Sequence, residues 1–207
     1  MRIEPVIKKV VAFIDGQNLY RSVKDAFGYY HPNYDLAKLC AAICAGQSGW
    51  ELKQLRFYTG IPNKRDDERW NVFWSKKLSV MGRIAKTFIF TRELKYRMFR
   101  VRDTAGVEHT GFGGVEKGID IRIALDVIRL AHKKEYDVAL VFSQDQDLSE
   151  AVDEIRCVSQ EQDRWIKVVS AFPMSPVYNN TRGINGSTWI PFDKRLYDQC
   201  IDSRDYR

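Results

Sequence analysis

The sequence predicts an α/β fold: a central, mostly parallel sheet with helices on both faces and a β-hairpin insertion. Two observations predict it. Val10-Val11-Ala12-Phe13-Ile14 and Val138-Ala139-Leu140-Val141-Phe142 are continuous apolar runs without polar alternation, each followed closely by an acidic turn. Strands of this kind are buried on both faces, as parallel sheets require. Around them, segments of helical period alternate with shorter strand-like runs, the order of β-α-β units.

Each element follows in turn. The first run ends at Asp15-Gly16, and a helix is expected from Asn18 to about Phe27. Tyr34 to Ala45 sets Leu36, Leu39, Cys40, Ile43 and Cys44 at helical spacing. Leu52 to Thr59 reads as a strand closed by Gly60 and Pro62. Asp66 to Met81 reads as a helix with Trp70, Phe73, Trp74 and Leu78 near one face, and Ile84 to Phe90 as the next strand. Leu94 to Val101 and Val107 to Phe112 are expected to pair as a hairpin around Asp103-Thr104-Ala105-Gly106. Gly118 to Ala131 carries Ile119, Ile123, Val127 and Leu130 as one apolar stripe. After the second apolar run, a helix from Asp147 to about Val158 and a strand from Ile166 to Ala171 complete the core. Beyond Pro173 the chain reads as irregular, with a short terminal helix around Asp193 to Ile201. The domain is therefore placed at 1–175, with 176–207 as an extension packed on it or trailing from it.

The 207 residues suit one domain. With 44% hydrophobic and 29% charged residues, disordered and fibrous classes are excluded. No 18-residue apolar stretch exists, so no membrane span is expected. Met1 to Lys9 lacks the apolar centre of a secretory signal. Cys40, Cys44, Cys157 and Cys200 form no C-x-x-C pair and lie far in sequence from His31, His109 and His132. No zinc site is expected, and the thiols read as the reduced thiols of a cytoplasmic protein. A formal charge of +6 leans toward an anionic partner.

Sites in open parallel sheets lie outside the carboxyl ends of the strands. Asp15 stands at one such end, and Asp145 and Asp147 at another. Asp120 falls in the first turn of its helix, with Lys117 three residues before it. Carboxylates brought together repel, and a hard divalent cation, Mg²⁺ or Mn²⁺, resolves the repulsion without His or Cys. Such ions activate water for phosphodiester cleavage. Each residue also has a structural reading. Asp147 suits an N-cap, Asp145 and Asp15 suit turns, Asp120 a helix start, Asn18 a cap, and Lys117 a solvated surface.

Three stretches together resemble the NYN domain family, within the PIN-like nuclease superfamily. They are Phe13-Ile14-Asp15-Gly16-Gln17-Asn18-Leu19, then Glu116-Lys117-Gly118-Ile119-Asp120 with Leu125-Asp126 further along the helix, and Ser143-Gln144-Asp145-Gln146-Asp147-Leu148. In the last, Gln144 stands where the family pattern has Gly, and Leu148 where it has an aromatic residue. The resemblance covers roughly Val10 to Ala171. Asn179 to Arg207 matches nothing identified. It implies a three-layer PIN-like fold and a metal-dependent ribonuclease that hydrolyses RNA phosphodiester bonds. By the same resemblance, Asp15, Asp120 and Asp145 hold Mg²⁺ or Mn²⁺, with Asp147 as a fourth or outer ligand. Asn18 orients Asp15 or touches substrate, Ser143 hydrogen-bonds a ligand, and Lys117 contacts a phosphate. Some family members carry other functional labels, including catabolic hydroxylation of pyridine compounds.

Arg92 to Arg102 alternates basic residues with Tyr96 and Phe99, a mixture suited to single-stranded RNA, with Arg97 and Arg100 as candidate contacts. Strand geometry puts Lys95, Arg97 and Phe99 on one face and Tyr96, Met98 and Arg100 on the other, so a solvated hairpin is the alternative. Lys64-Arg65 and Lys76-Lys77 read as surface charge, and Gly111 to Gly114 as a loop beside the site or a turn. Three other functions stay open. Gln144 favours a catalytically silent RNA-binding module. The five tryptophans suit a small-molecule enzyme acting on an aromatic ring, although no nucleotide-cofactor motif or two-His, one-carboxylate set accompanies them. The unmatched C-terminal segment suits an interaction protein. A homo-oligomer also stays open.

Overall fold

The computed structural model describes residues 2–102 and 108–206. The expected hairpin tip, Asp103 to Gly106 with Val107, lies outside them. Six strands form one parallel sheet in the order β3-β2-β1-β6-β7-β8. They are β1 (Lys8–Asp15), β2 (Trp50–Ile61), β3 (Thr87–Glu93), β6 (Val138–Phe142), β7 (Lys167–Pro173) and β8 (Thr188–Phe192). The helices are α1 (Gly16–Phe27), α2 (Leu36–Ala45), α3 (Glu68–Met81), α4 (Ile119–His132), α5 (Ser149–Glu161) and α6 (Lys194–Asp198). β4 (Lys95–Arg102) and β5 (Glu108–Val115) make a separate antiparallel ribbon between β3 and α4, so the expected insertion is present.

The apolar runs have a direct structural cause. Alternate side chains of β1 enter opposite cores: Val10, Ala12 and Ile14 pack on one face of the sheet, Val11 and Phe13 on the other. β6 divides the same way, with Val138, Leu140 and Phe142 against Ala139 and Val141. α1, α2, α3 and α6 contribute to the first core, α4 and α5 to the second. A strand buried on both faces has no solvent-facing side, so the alternation of apolar and polar residues is absent.

Two readings are corrected. The segment after Pro173 is not wholly irregular: β8 extends the sheet beside β7. The crossover to β8 is a loop, anchored by the fully buried Ile184, so it carries no helical period to reveal it. Tyr197, Cys200 and Tyr206 also enter the first core.

Lys77 is not surface charge. It is 1% exposed, donates to the Tyr34 carbonyl at 2.9 Å, and faces the Asp202 carboxylate at 3.7 Å. The Tyr34 and Tyr206 rings lie 5.2 and 4.9 Å from its ammonium. Burial brings its pKa down to about 8, against the opposing pull of Asp202. The last residues are thus locked onto α3. Cys40, Cys44 and Cys200 are buried free thiols and Cys157 an exposed one. No helix among the described residues is long and apolar enough to cross a membrane.

Candidate active site

The order of the sheet reverses between β1 and β6, and a crevice opens there at the carboxyl ends. The register sets Ile14 beside Phe142, so the turns after the two strands adjoin. Asp15 ends β1 and caps α1, its Oδ1 accepting the Asn18 N–H at 2.9 Å. The amide oxygen of Asn18 in turn accepts the Gln144 N–H at 3.0 Å. Asn18 therefore ties the two turns together. After β6, the Ser143 hydroxyl accepts the Asp145 N–H at 3.1 Å, and Asp145 Oδ1 accepts the Asp147 N–H at 3.0 Å. That opens a 3-10 turn, Gln146–Leu148, from which α5 runs on.

The third side comes from the ribbon. β5 leads into Glu116, whose carboxylate accepts the N–H of Gly60 near the end of β2. Gly118 then turns the chain into α4 with φ of 70°, in the left-handed region. A β-carbon there would meet the Arg92 guanidinium at 2.8 Å, the mobile end of a long side chain, so it is the φ that makes the position one for glycine. Arg92 also donates to the Lys117 carbonyl at 3.2 Å. Asp120 follows in the first turn of α4.

A cleft of about 700 Å³ results, lined by Asp15, Glu116, Asp120 and Asp145, with Asn18, Arg21, Arg92 and Lys117 beside them. Burial pushes the Asp15 carboxyl up to about 6; the Asn18 N–H opposes the shift and the charge of Asp145 adds to it. Glu116 rises to about 7, by burial first and then by the charge of Asp15, with Asp120 adding to it. Gly60 and Arg21 pull it back. The four acids thus sense one another across the cleft. Among the described residues, no three Asp, Glu, His or Cys side chains stand together as a group able to hold one ion.

Asp15, Asp120, Asp145, Asn18 and Lys117 therefore share one cleft. The other named residues do not line it. Asp147 is exposed, and it is Asp145, not Asp147, that caps the turn before α5. Ser143 is 2% exposed and holds the turn, accepting from Asp145 and, through its carbonyl, from the Ser170 hydroxyl at 2.7 Å. It faces the fold and not a ligand. Arg97 and Arg100 are exposed along β4, paired in register with Gly113 and Thr110.

Sequence reasoning missed Glu116, Arg21 and Arg92. The signal for Glu116 was an acid two residues before the turn glycine. Arg21 lies one helical turn beyond Gln17, whose Oε1 accepts from it at 3.1 Å. Gln144 has a structural reason to replace glycine. Its Nε2 donates to the carbonyls of Asn180 and Arg182, both at 2.9 Å, and its Oε1 accepts from Tyr178 at 2.9 Å. Gln146 does the same for Gly183 and Asn185. The two glutamines fasten the chain that leads to β8.

The profile of the NYN domain matches residues 9–176. A crystal structure of a protein of unknown function from Vibrio parahaemolyticus is similar at a TM-score of 0.53 and 18% identity, with 93% of this chain and 97% of that chain covered. That likeness concerns the fold alone. Ribokinase from Giardia lamblia aligns at a TM-score of 0.41 and 9% identity, with 89% and 55% of the two chains covered. No curated protein matches the chain.

Proposed function

The chain belongs to the NYN domain family, and from that premise we propose that it is a divalent-metal-dependent ribonuclease that hydrolyses RNA phosphodiester bonds. One observation carries the reading: Asp15, Glu116, Asp120 and Asp145 line one cleft at the topological switch point of the sheet. An all-oxygen donor set suits Mg²⁺ or Mn²⁺. The acids are coupled in pairs, Asp15 with Asp145 and Glu116 with both Asp15 and Asp120, so each pair lowers its repulsion by sharing a cation. Mg²⁺ keeps several of its own waters and needs only one or two carboxylates, so the coupled pair Asp15 and Asp145 would hold it directly, with Asp120 as the third acid drawn toward it. When bound, such an ion polarises a phosphate oxygen and makes its water a nucleophile at neutral pH.

The chain's own groups supply the rest. Arg21, Arg92 and Lys117 border the acids and face the phosphate's negative oxygens. Asn18 keeps Asp15 and the Gln144 turn in register, a positioning role. Glu116 is held by the Gly60 N–H. It accompanies Asp15 and Asp120 as a fourth acid on the cleft wall.

The test is cleavage of a mixed single-stranded RNA pool in Mn²⁺ by the wild type and by Asp15→Asn and Asp145→Asn, each freshly purified. Both substitutions are expected to lower the rate at least a hundredfold. Undiminished cleavage by the double variant would remove the assignment.

A further inference from the structure

A second concavity adjoins the acidic cleft. It lies between the start of α1, the side of α3 and the root of the β4–β5 ribbon, and has a volume of about 210 Å³. We propose that this pocket takes one unstacked nucleobase of a single-stranded RNA, beside the phosphate presented to the carboxylates. The proposal rests on the ribonuclease reading for the identity of its ligand, and adds a subsite to it.

The walls are aromatic. Tyr20, Trp70, Trp74 and Tyr96 line the pocket. They are braced from behind: Trp70 meets Phe73 edge-on at 5.1 Å, and Trp74 packs against Phe57 at 5.8 Å. Tyr20 is fixed by its hydroxyl, which donates to the Tyr30 carbonyl at 2.8 Å, and its ring lies 6.2 Å from that of Trp70. Aromatic surfaces held this way lose little entropy when a flat ring enters. Every nucleobase has a π-face, so stacking on them is tolerant of sequence.

Size selects the occupant. Drug-sized ligands take roughly 300–1,000 Å³, and a cavity of about 150 Å³ holds one benzene ring. The volume of 210 Å³ therefore suits a single heterocycle and not a whole nucleotide. The sugar and phosphate must lie outside, and the way out leads to the acids. Gln17, Arg21 and Gly114 line both the pocket and the cleft. Arg21 stands on that border as a cation for the phosphate. Glycines let Leu94 and Glu116 close up against this wall. A β-carbon at Gly60 would run into Leu94 and the Glu116 carboxylate, and one at Gly114 would meet Leu94 at 2.9 Å.

Base entry also selects the strand. A duplex base must be unpaired and unstacked first, whereas a single strand offers bases already free. The ribbon continues outward from Tyr96 with exposed Arg100 on the same face, positive charge for a neighbouring phosphate, while Lys95 and Arg97 lie on the other face.

The experiment uses the full chain carrying Asp15→Asn and Asp145→Asn, without metal, so that binding is read apart from cleavage. A five-nucleotide single-stranded RNA and the same RNA with one abasic position are titrated while tryptophan fluorescence is followed. Quenching is expected, with the intact strand bound about tenfold more tightly than the abasic one. Adding Trp70→Leu should abolish that difference, with the abasic affinity unchanged. Tyr96→Ala, on the ribbon, repeats the test should Trp70→Leu fail to fold. Equal weakening of both strands by the pocket substitutions, or a free pyridine carboxylate bound as tightly as the RNA, would overturn the base pocket. Failure of the wild type to cleave RNA, with the abasic discrimination intact, would remove the nuclease reading and leave the pocket standing.

Discussion

Asp15 shows how one side chain serves a fold and burdens it. As the N-cap of α1 it satisfies a helix-end N–H, yet burial and Asp145 hold its pKa near 6 against an ordinary 3.8. A raised carboxyl pKa means that the folded state keeps its proton longer than the unfolded one. Between about pH 4 and pH 6 stability therefore falls as pH rises, and the full cost, at most about 3 kcal/mol, is present above pH 6. Asp15→Asn keeps the capping oxygen and removes the charge. In metal-free buffer at pH 7.5 it should raise stability by about 1–2 kcal/mol, or roughly 2–8 °C in Tm, and the gain should vanish near pH 4. A Tm unchanged at both pH values would mean that Asp15 is not held in a crowded site. Glu116→Gln, with Gly60 still bonded, should behave alike, with its window moved up toward pH 7.

Among the elements, the turn after β6 and the tail after β7 depend on each other. Gln144 makes three side-chain hydrogen bonds to residues 178–182, each worth about 1 kcal/mol. Gln144→Gly should cost about 3 kcal/mol, and amide exchange along the 176–192 stretch should quicken while that of β1 does not. Uniform exchange in the variant would deny the tail its dependence on this turn. The end of the chain is tied by Lys77. Lys77→Ala would leave the Tyr34 carbonyl without its donor and the nearly buried Asp202 without its facing ammonium. A loss of about 3 kcal/mol, roughly 6–12 °C in Tm, is expected by thermal melting. The ribbon has the opposite character. Met98 and Phe112 are 68% and 61% exposed, and Phe99 lies over Gly111, where a β-carbon would strike its ring. Little core depends on it, so its substitutions should change RNA affinity with little change in Tm.

For the whole molecule, charge distribution sets the order of binding. The chain is +6, yet its cleft gathers four acids. The acids oppose an anion while Arg21, Arg92 and Lys117 beside them attract one, so on the proposed reading a divalent cation tips the balance toward RNA. Mn²⁺ should therefore raise both the Tm and the affinity for an uncleaved RNA analogue. The Asp15→Asn/Asp145→Asn chain should bind that analogue more tightly than the metal-free wild type. Affinity in both should fall steeply with salt. An affinity indifferent to Mn²⁺ in the wild type would show that the acids do not face the phosphates.

The sequence by itself determined the layered α/β class, the two central strands, and the acids at their ends. Doubly buried strands have no solvent-facing position, so Val10–Ile14 and Val138–Phe142 read as continuous apolar runs, and Asp15 and Asp145 mark where those runs stop. The tertiary structure alone decided the remaining points. Glu116 reaches the cleft only because the ribbon returns it to Gly60, a contact 56 residues apart that no local pattern encodes. Lys77 is buried because tyrosines and an aspartate from distant segments close over it, and β8 is a strand because β7 offers it an edge. Local periodicity records which face a residue turns inward; what it meets there is settled by the closing of the chain.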